Sequence, residues 1–522
     1  MKNIVLTGFM GTGKTAVGHA VAQQLGWKLV DMDAEIEAQA GKTIPRIFAE
    51  DGEDAFHQME RELCRGLSEK QDLVIATGGG TLIDSRNREL VMKVRTIICL
   101  TASAEEIMHR LGSTDVSKRP LLGGPDLRET IETLLRERRE IYRSFPWQVD
   151  TTDLTIAEVT HRVIEIAEHI AIPVRFPGGE YEIRIGDGLL NHLGDLVKRE
   201  ASGHIAIVTN AVVGPLYGAV AEESLRIARF DPFTCVIPDG ERHKVLATVE
   251  SLYQKFLTGG LDRDGTVVSL GGGVTGDIAG YAAATFMRGV KFVQVPTSLL
   301  AMIDASVGGK TGVDLPQGKN LVGSFKQPSL VLIDPSVLST LPDEEARNGA
   351  AEAIKHGVIA APDLFATLEN GSVPFTPNLI ARILTVKVRI VEKDPYERGQ
   401  RETLNLGHTV GHAIEQVSKF AVPHGRAVAI GLVAAARIAV QLKLADHDMV
   451  KRIETALSTW KLPITVPDLP TDDIIAAMRS DKKTKNGRIR FILPRRIGTV
   501  EVADDVPPEL IESVLREMKG RC

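Results

Sequence analysis

A glycine-rich loop between an apolar run and a polar, periodic one constrains this chain more than any other feature. Gly8-Phe9-Met10-Gly11-Thr12-Gly13-Lys14-Thr15 matches G-x-x-x-x-G-K-[ST]. It follows a predicted strand over Asn3–Thr7 and opens a predicted helix over Thr15–Leu25, the context of a phosphate-binding loop. Gly11 and Gly13 let backbone N–H groups wrap phosphates, and the helix N-terminus adds a favourable dipole. Lys14 would neutralise β/γ-phosphate charge, and Thr15 would offer its hydroxyl to Mg²⁺. Further strands are expected at Leu73–Thr77 and Thr96–Leu100, with helices at Leu127–Tyr142 and Ile156–Ile170. Strands alternating with helices predict a parallel sheet wound with helices. Pro173, just beyond the last helix, is expected to stop it.

The chain has 522 residues, enough for about three domains. Expected boundaries are 1–170, 171–335 and 336–522. The second block continues the α/β pattern, with strands at Tyr181–Ile185, His204–Thr209, Thr234–Ile237, Thr266–Leu270 and Val290–Val295. The third is mostly helical, over Arg347–Ala361, Leu379–Lys393, Thr409–Val417 and Arg426–Lys443, with one β-like segment at Arg488–Leu493. A net charge of −6 with interspersed signs argues against a nucleic-acid partner. No apolar run approaches the roughly 18–20 residues of a membrane span. Four scattered cysteines (Cys64, Cys99, Cys235 and Cys522) suggest neither a disulfide framework nor a thiolate zinc site. With no signal-peptide pattern at the N-terminus, a cytoplasmic location is expected.

Other polar residues of the first block fall where an open α/β sheet binds ligands. Asp31 and Asp33 follow a strand-like Lys28–Val30, so one acid would reach Mg²⁺ and the other an acceptor hydroxyl. Gly78-Gly79-Gly80 follows the next strand. Arg119 lies in a glycine-rich stretch, 112–125, that reads as a lid carrying a cation to the phosphates. In the second block, Gly271-Gly272-Gly273-Val274-Thr275-Gly276-Asp277 suits close approach to a dinucleotide, and Asp239, Glu241 and Lys244 form a polar turn after a strand. His408 and His412 stand at i and i+4 on one helix face, with His424 beyond them, and Glu352 and His356 repeat that spacing. A zinc site needs about three such ligands. Spacing favours the His408–His412 pair but does not choose among the four histidines. Lys310, Lys319, Lys355, Lys387, Lys482, Lys483, Arg288 and Arg401 could hold a phosphate and a carboxylate.

Residues 1–168 resemble shikimate kinase through GFMGTGKT, DMD at 31–33, GEDAF at 52–56, GGG at 78–80, KRPLL at 118–122 and RREIYR at 138–143. The resemblance implies transfer of phosphate from ATP, with Mg²⁺, to the 3-hydroxyl of shikimate. Asp33 would bind the acceptor hydroxyls, Gly79, Gly80 and Arg138 would hold shikimate, and Arg119 would be the lid arginine. The family usually has an arginine for the substrate carboxylate at the position of His57. A neutral imidazole offers one donor against a bidentate fork, worth about 1.5–3 kcal/mol. Arg61 lies one turn further on.

Residues 173–522 resemble 3-dehydroquinate synthase through PDGERHK at 238–244, SLGGGVTGD at 269–277, MRG at 287–289, the run from Gln294 to Asn320, AEAIKHG at 351–357 and RETLNLGHTVGHAIE at 401–415. The resemblance implies an NAD⁺-binding α/β domain followed by a helical metal domain. The expected reaction is cyclisation of 3-deoxy-D-arabino-heptulosonate 7-phosphate with loss of phosphate. It implies Glu352, His408 and His424 as ligands of Zn²⁺ or Co²⁺. Asp239, Glu241, Lys244, Gly272, Gly273, Val274, Asp277, Thr297, Ser298 and Lys319 would face NAD⁺. Asp304, Lys310, Asn320, Lys355, Lys387, Arg401, Asn405 and His412 would face the substrate, with one of Lys482 and Lys483. Arg288 would reach across a subunit interface, implying a homodimer.

The leading reading is thus a bifunctional enzyme. A second keeps the synthase and makes the first block an impaired or regulatory kinase-like domain, on the strength of His57. A third makes the second block a related sugar-phosphate cyclase or a metal-dependent alcohol dehydrogenase.

Overall fold

The computed structural model describes residues 3–68, 70–92, 96–112, 127–145, 147–198, 201, 203–371, 373–480 and 489–519. The chain divides into two compact units, Met1–His169 and Ile170–Cys522.

The first unit is built on five strands: β1 (Ile4–Gly8), β2 (Lys28–Asp31), β3 (Leu73–Ala76), β4 (Thr96–Thr101) and β5 (Trp147–Asp150). Their order is β2-β3-β1-β4-β5 and every pairing is parallel. Every residue of β1 and β3 is buried, because helices cover both faces. That is why these strands read as unbroken apolar runs rather than alternating ones. β1 lies between β3 and β4, so the loop after it opens where the strand order reverses, the usual ligand crevice of such sheets.

The second unit begins with β6 (Ile170–Phe176), β7 (Gly179–Ile185), β8 (His204–Asn210), β9 (Asp231–Ile237), β10 (Thr266–Gly271), β11 (Lys291–Pro296), β12 (Lys310–Leu315), β13 (Gly318–Phe325) and β14 (Leu330–Ile333). Seven of these make a sheet of order β6-β7-β14-β11-β10-β8-β9, parallel apart from the β6–β7 hairpin. The other two, β12 and β13, pair as a separate antiparallel ribbon. Helices dominate from Asp343 onward, with one hairpin of β15 (Phe491–Arg496) and β16 (Thr499–Ala503).

One expectation needs correction, and one element had no expectation. The helix Ile156–Glu168 ends before Ile170, and Pro173 lies inside β6. An edge strand tolerates a proline because its outward side needs no donor. The β12–β13 ribbon carries no alternation in sequence. Its glycines Gly312 and Gly323 face each other across the pair, which removes the apolar signal. Cys64, Cys99 and Cys235 are free and buried. Burial pushes the thiols of Cys64 and Cys99 up to about 12.

Candidate functional site

In the first unit, Gly11 and Gly13 take left-handed backbone, at φ 80° and 93°, and Gly13 caps the helix Lys14–Leu25. The loop's N–H groups thereby turn inward at a helix start. Lys14 Nζ donates to the Gly8 and Phe9 carbonyls, both at 2.9 Å. Thr15 Oγ1 donates to Asp31 Oδ2 at 2.7 Å, so of the two acids Asp31 is the one beside the loop's hydroxyl. Asp33 instead faces the glycine triplet: a Cβ on Gly78 would stand 2.6 Å from its Oδ1. The Gly79 carbonyl accepts from Tyr142 Oη at 2.7 Å and Arg138 Nη1 at 3.3 Å, and nothing crowds the outward side of Gly80.

His57 is tied down by acids. Its Nδ1 lies 2.8 Å from Glu60 Oε2 and its Nε2 3.5 Å from Glu53 Oε1. Glu60 is buried, and its other oxygen accepts from Thr81 Oγ1. Arg61 leans toward Asp84, 4.0 Å away. Sequence reasoning missed Arg110, which binds the backbone oxygen and hydroxyl of Thr151 and approaches the Gly11 carbonyl. Only tertiary packing brings that arginine to the loop. Arg119, with the lid stretch around it, lies outside the described residues, as do Lys482 and Lys483.

In the second unit the carboxyl ends of β8, β9, β10 and β11 form one rim. Gly272 and Gly273 pass from β10 into the helix Gly273–Thr285, which carries Val274 and Asp277. The Thr297 N–H donates to the Gly271 carbonyl at 3.0 Å, and Ser298 lies beside Gly272. Asp239 accepts from Asn210 at 2.7 Å. Lys244, 4% exposed, donates to Asp277 and to Asn320, both at 2.6 Å. Lys319 bridges Glu241 at 3.3 Å and Glu415 at 3.2 Å.

The metal candidates come from three helices. Glu352 lies on Asp343–Ala360, His408 opens His408–Val417, and His424 opens His424–Gln441. Small residues let these helices touch. A Cβ on Gly431 would meet the Gly407 carbonyl oxygen at 1.9 Å, and one on Gly425 would meet backbone of Asn348 at 2.3 Å. One ligand atom from each of Glu352, His408 and His424 falls within a 4.8 Å group. Both Nε2 atoms stand 3.4 Å from Glu352 Oε1. His408 Nδ1 points at the Leu406 carbonyl at 3.1 Å and His424 Nδ1 at Glu415 at 3.0 Å. With Nδ1 carrying the proton, each Nε2 turns a lone pair toward a carboxylate oxygen.

Neither oxygen of the fully buried Glu352 makes a well-directed hydrogen bond, although the Lys355 ammonium lies against one. Lone pairs facing lone pairs in a buried site fit a divalent cation, and a carboxylate with two imidazoles is a zinc-type donor set. Burial opposes charge on Glu352, and Lys355 and His408 outweigh it and hold the carboxyl well below its usual range. Burial likewise opposes a charged His424, yet Glu352 and Glu415 raise it to about 9.

His412, favoured by spacing, is outside this trio. Its ring centroid is 5.1 Å from that of His408 and 6.1 Å from that of His424. His356 is also outside it. Its ring is fully buried, with Nε2 3.6 Å from Asp304 Oδ1. Lys387 donates to the same oxygen at 2.8 Å. Burial works against a charged Asp304, and Lys387 and Lys355 together hold it well below the usual carboxylate range. Arg401, 2% exposed, donates to the Gly308 carbonyl at 3.0 Å. Gly308 takes φ 101°, backbone that favours glycine, and a Cβ there would stand 2.3 Å from Arg401 Nη2. Glu397 pairs with Lys310 and faces Asn405. Arg288 is exposed on a turn where Met287, Arg288 and Gly289 all have positive φ. Among the described residues no hydrogen bond or ion pair joins Arg288 to this cluster.

Comparison with known proteins agrees with both halves of this geometry. The family model for shikimate kinase matches residues 10–168. Those for the N-terminal and C-terminal parts of 3-dehydroquinate synthase match 234–348 and 349–484. The chain is 45% identical over 358 residues to the 3-dehydroquinate synthase of Rippkaea orientalis, covering 66% of this chain and 98% of that one. It is 46% identical over 356 residues to that of Synechocystis, with 66% and 99% covered. A solved 2-epi-5-epi-valiolone synthase from Streptomyces hygroscopicus, with NAD⁺ and Zn²⁺ bound, aligns at TM-score 0.62 and 28% identity, over 66% of this chain and 98% of that one. The chain therefore belongs to the 3-dehydroquinate synthase family and carries a shikimate kinase domain ahead of its synthase part.

Proposed function

We propose that the two units catalyse two separate reactions: phosphorylation of shikimate by ATP, and cyclisation of 3-deoxy-D-arabino-heptulosonate 7-phosphate to 3-dehydroquinate with release of phosphate. The convergence of Glu352, His408 and His424, with Lys355 against Glu352 and Lys387 against the neighbouring Asp304, carries the synthase reading. The kinase domain match makes a merely regulatory first unit the weaker alternative.

In the kinase unit Lys14 exchanges its two loop carbonyls for β/γ-phosphate oxygens. Thr15 and Asp31 would hold Mg²⁺, and Arg119 would supply a cation to the phosphates. Asp33 receives the proton of the acceptor hydroxyl, which Gly79, Gly80, Arg138 and His57 help to place. Catalysis here is positioning and charge stabilisation.

In the synthase unit Asp239, Glu241, Lys244, Gly272, Gly273, Val274, Asp277, Thr297, Ser298 and Lys319 would hold NAD⁺. Glu352, His408 and His424 hold Zn²⁺ or Co²⁺. The dinucleotide supplies a hydride acceptor, and the metal supplies acidification of an alcohol and polarisation of a ketone. The chain's own groups do the rest. Lys310, Lys355, Lys387, Arg401 and one of Lys482 and Lys483 neutralise the substrate's carboxylate and phosphate. Asp304 keeps Lys387 charged and aimed. Asn320 and Asn405 orient hydroxyls, and His412 exchanges protons at the edge of the histidine cluster. Arg288 completes the site from a second copy in a homodimer, which acts in the cytoplasm.

The test is phosphate release from the heptulosonate phosphate by protein stripped of metal and freed of chelator. Activity should vanish and return with Zn²⁺ or Co²⁺ in the native chain, and should not return in His424→Ala. Unchanged turnover after stripping would contradict the metal assignment.

A further inference from the structure

Glu415 takes no place in the ligand trio, yet it is 4% exposed and sits at the heart of the synthase site. Its two oxygens are divided between two partners. Oε2 faces His424 Nδ1 at 3.0 Å, and Oε1 faces Lys319 Nζ at 3.2 Å. Lys319 belongs to β13, lies 3.3 Å from Glu241, and rests over the Phe420 ring at 4.4 Å. A line of charges thus runs from the polar turn after β9, through Lys319 and Glu415, to the back of a metal-binding imidazole.

Glu415 also groups with His412 and His424, but that set does not suit a second ion. His424 has one lone pair to give, and its Nε2 spends it toward Glu352. The Lys319 ammonium already occupies the other side of the carboxylate, where a second cation would be repelled.

We propose that Glu415 is a positioning residue for the metal. It fixes the Nδ1–H tautomer of His424, turns Nε2 toward Glu352 and His408, and strengthens that nitrogen as a donor. Lys319 holds the carboxylate in the orientation this requires. The inference rests on the metal reading above. Carboxylate partners behind a ligating histidine typically change metal affinity about 10- to 100-fold.

The experiment is Zn²⁺ binding to the full chain by competition with a chromogenic chelator, for the native protein, Glu415→Gln, Glu415→Asp and His424→Ala. Native protein should bind one ion per chain with high affinity, and His424→Ala should lose it. Glu415→Gln should bind about 10- to 100-fold more weakly, with part of the loss recovered in Glu415→Asp. Saturating Zn²⁺ should restore most of the synthase rate of Glu415→Gln, which a general folding defect would not allow. The Co²⁺-loaded variant should also show an altered visible spectrum. Native affinity in Glu415→Gln, with His424→Ala impaired, would overturn the role of Glu415 alone. Native affinity in His424→Ala would overturn the metal reading itself.

Discussion

The most informative single residue in the kinase unit is His57. Two acids hold its ring, and Glu60 is buried and also engaged by Thr81. An arginine there would keep the Glu60 contact and present a second edge of its guanidinium to a substrate carboxylate. His57→Arg should therefore lower KM for shikimate by about tenfold with little change in kcat, the mark of binding gained equally in ground and transition states. A variant whose KM is unchanged would place the carboxylate on Arg138 or Arg61 alone. At this scale the sequence is legible where chemistry is local. The phosphate loop is contiguous, and its neighbours follow from strand and helix order. The histidines are not legible, because i,i+4 spacing records one helix face while this site is made by three helices. Only the family resemblance separated His424 from His412, and nothing in the sequence pointed to Glu415 or Arg110.

Between elements, the candidate metal site depends on how closely three helices approach. Gly431 lies where the helix His424–Gln441 crosses the turn at Gly407, which precedes His408. A side chain at 431 must push that backbone away, since the contact is a carbonyl rather than a flexible side chain. Gly431→Ala should cost about 1–3 kcal/mol of stability and weaken Zn²⁺ binding, because the strain falls between His408 and His424. Thermal unfolding with and without Zn²⁺ measures both, and a variant with native stability would contradict the packing argument. Element boundaries were largely readable here. Buried parallel strands announce themselves as apolar runs and long helices by their period. The β12–β13 ribbon was unreadable because glycines replace the side chains that would have shown a strand period.

At the scale of the whole molecule, two units with their own sheets carry two chemistries. The synthase relatives cover 98–99% of their own length with 66% of this chain, so the synthase unit corresponds to proteins that stand alone. The two reactions share no substrate. A lesion in one unit is accordingly expected to leave the other reaction at its native rate. The most direct test is a ³¹P NMR time course of the full chain with ATP, Mg²⁺, shikimate, NAD⁺, Zn²⁺ and the heptulosonate phosphate together. Native protein should produce shikimate 3-phosphate, ADP and inorganic phosphate in one tube. Lys14→Met should lose only the first two, and His408→Ala only the third. A native chain that makes one set of products alone, or variants that lose both together, would contradict the account of two independent sites.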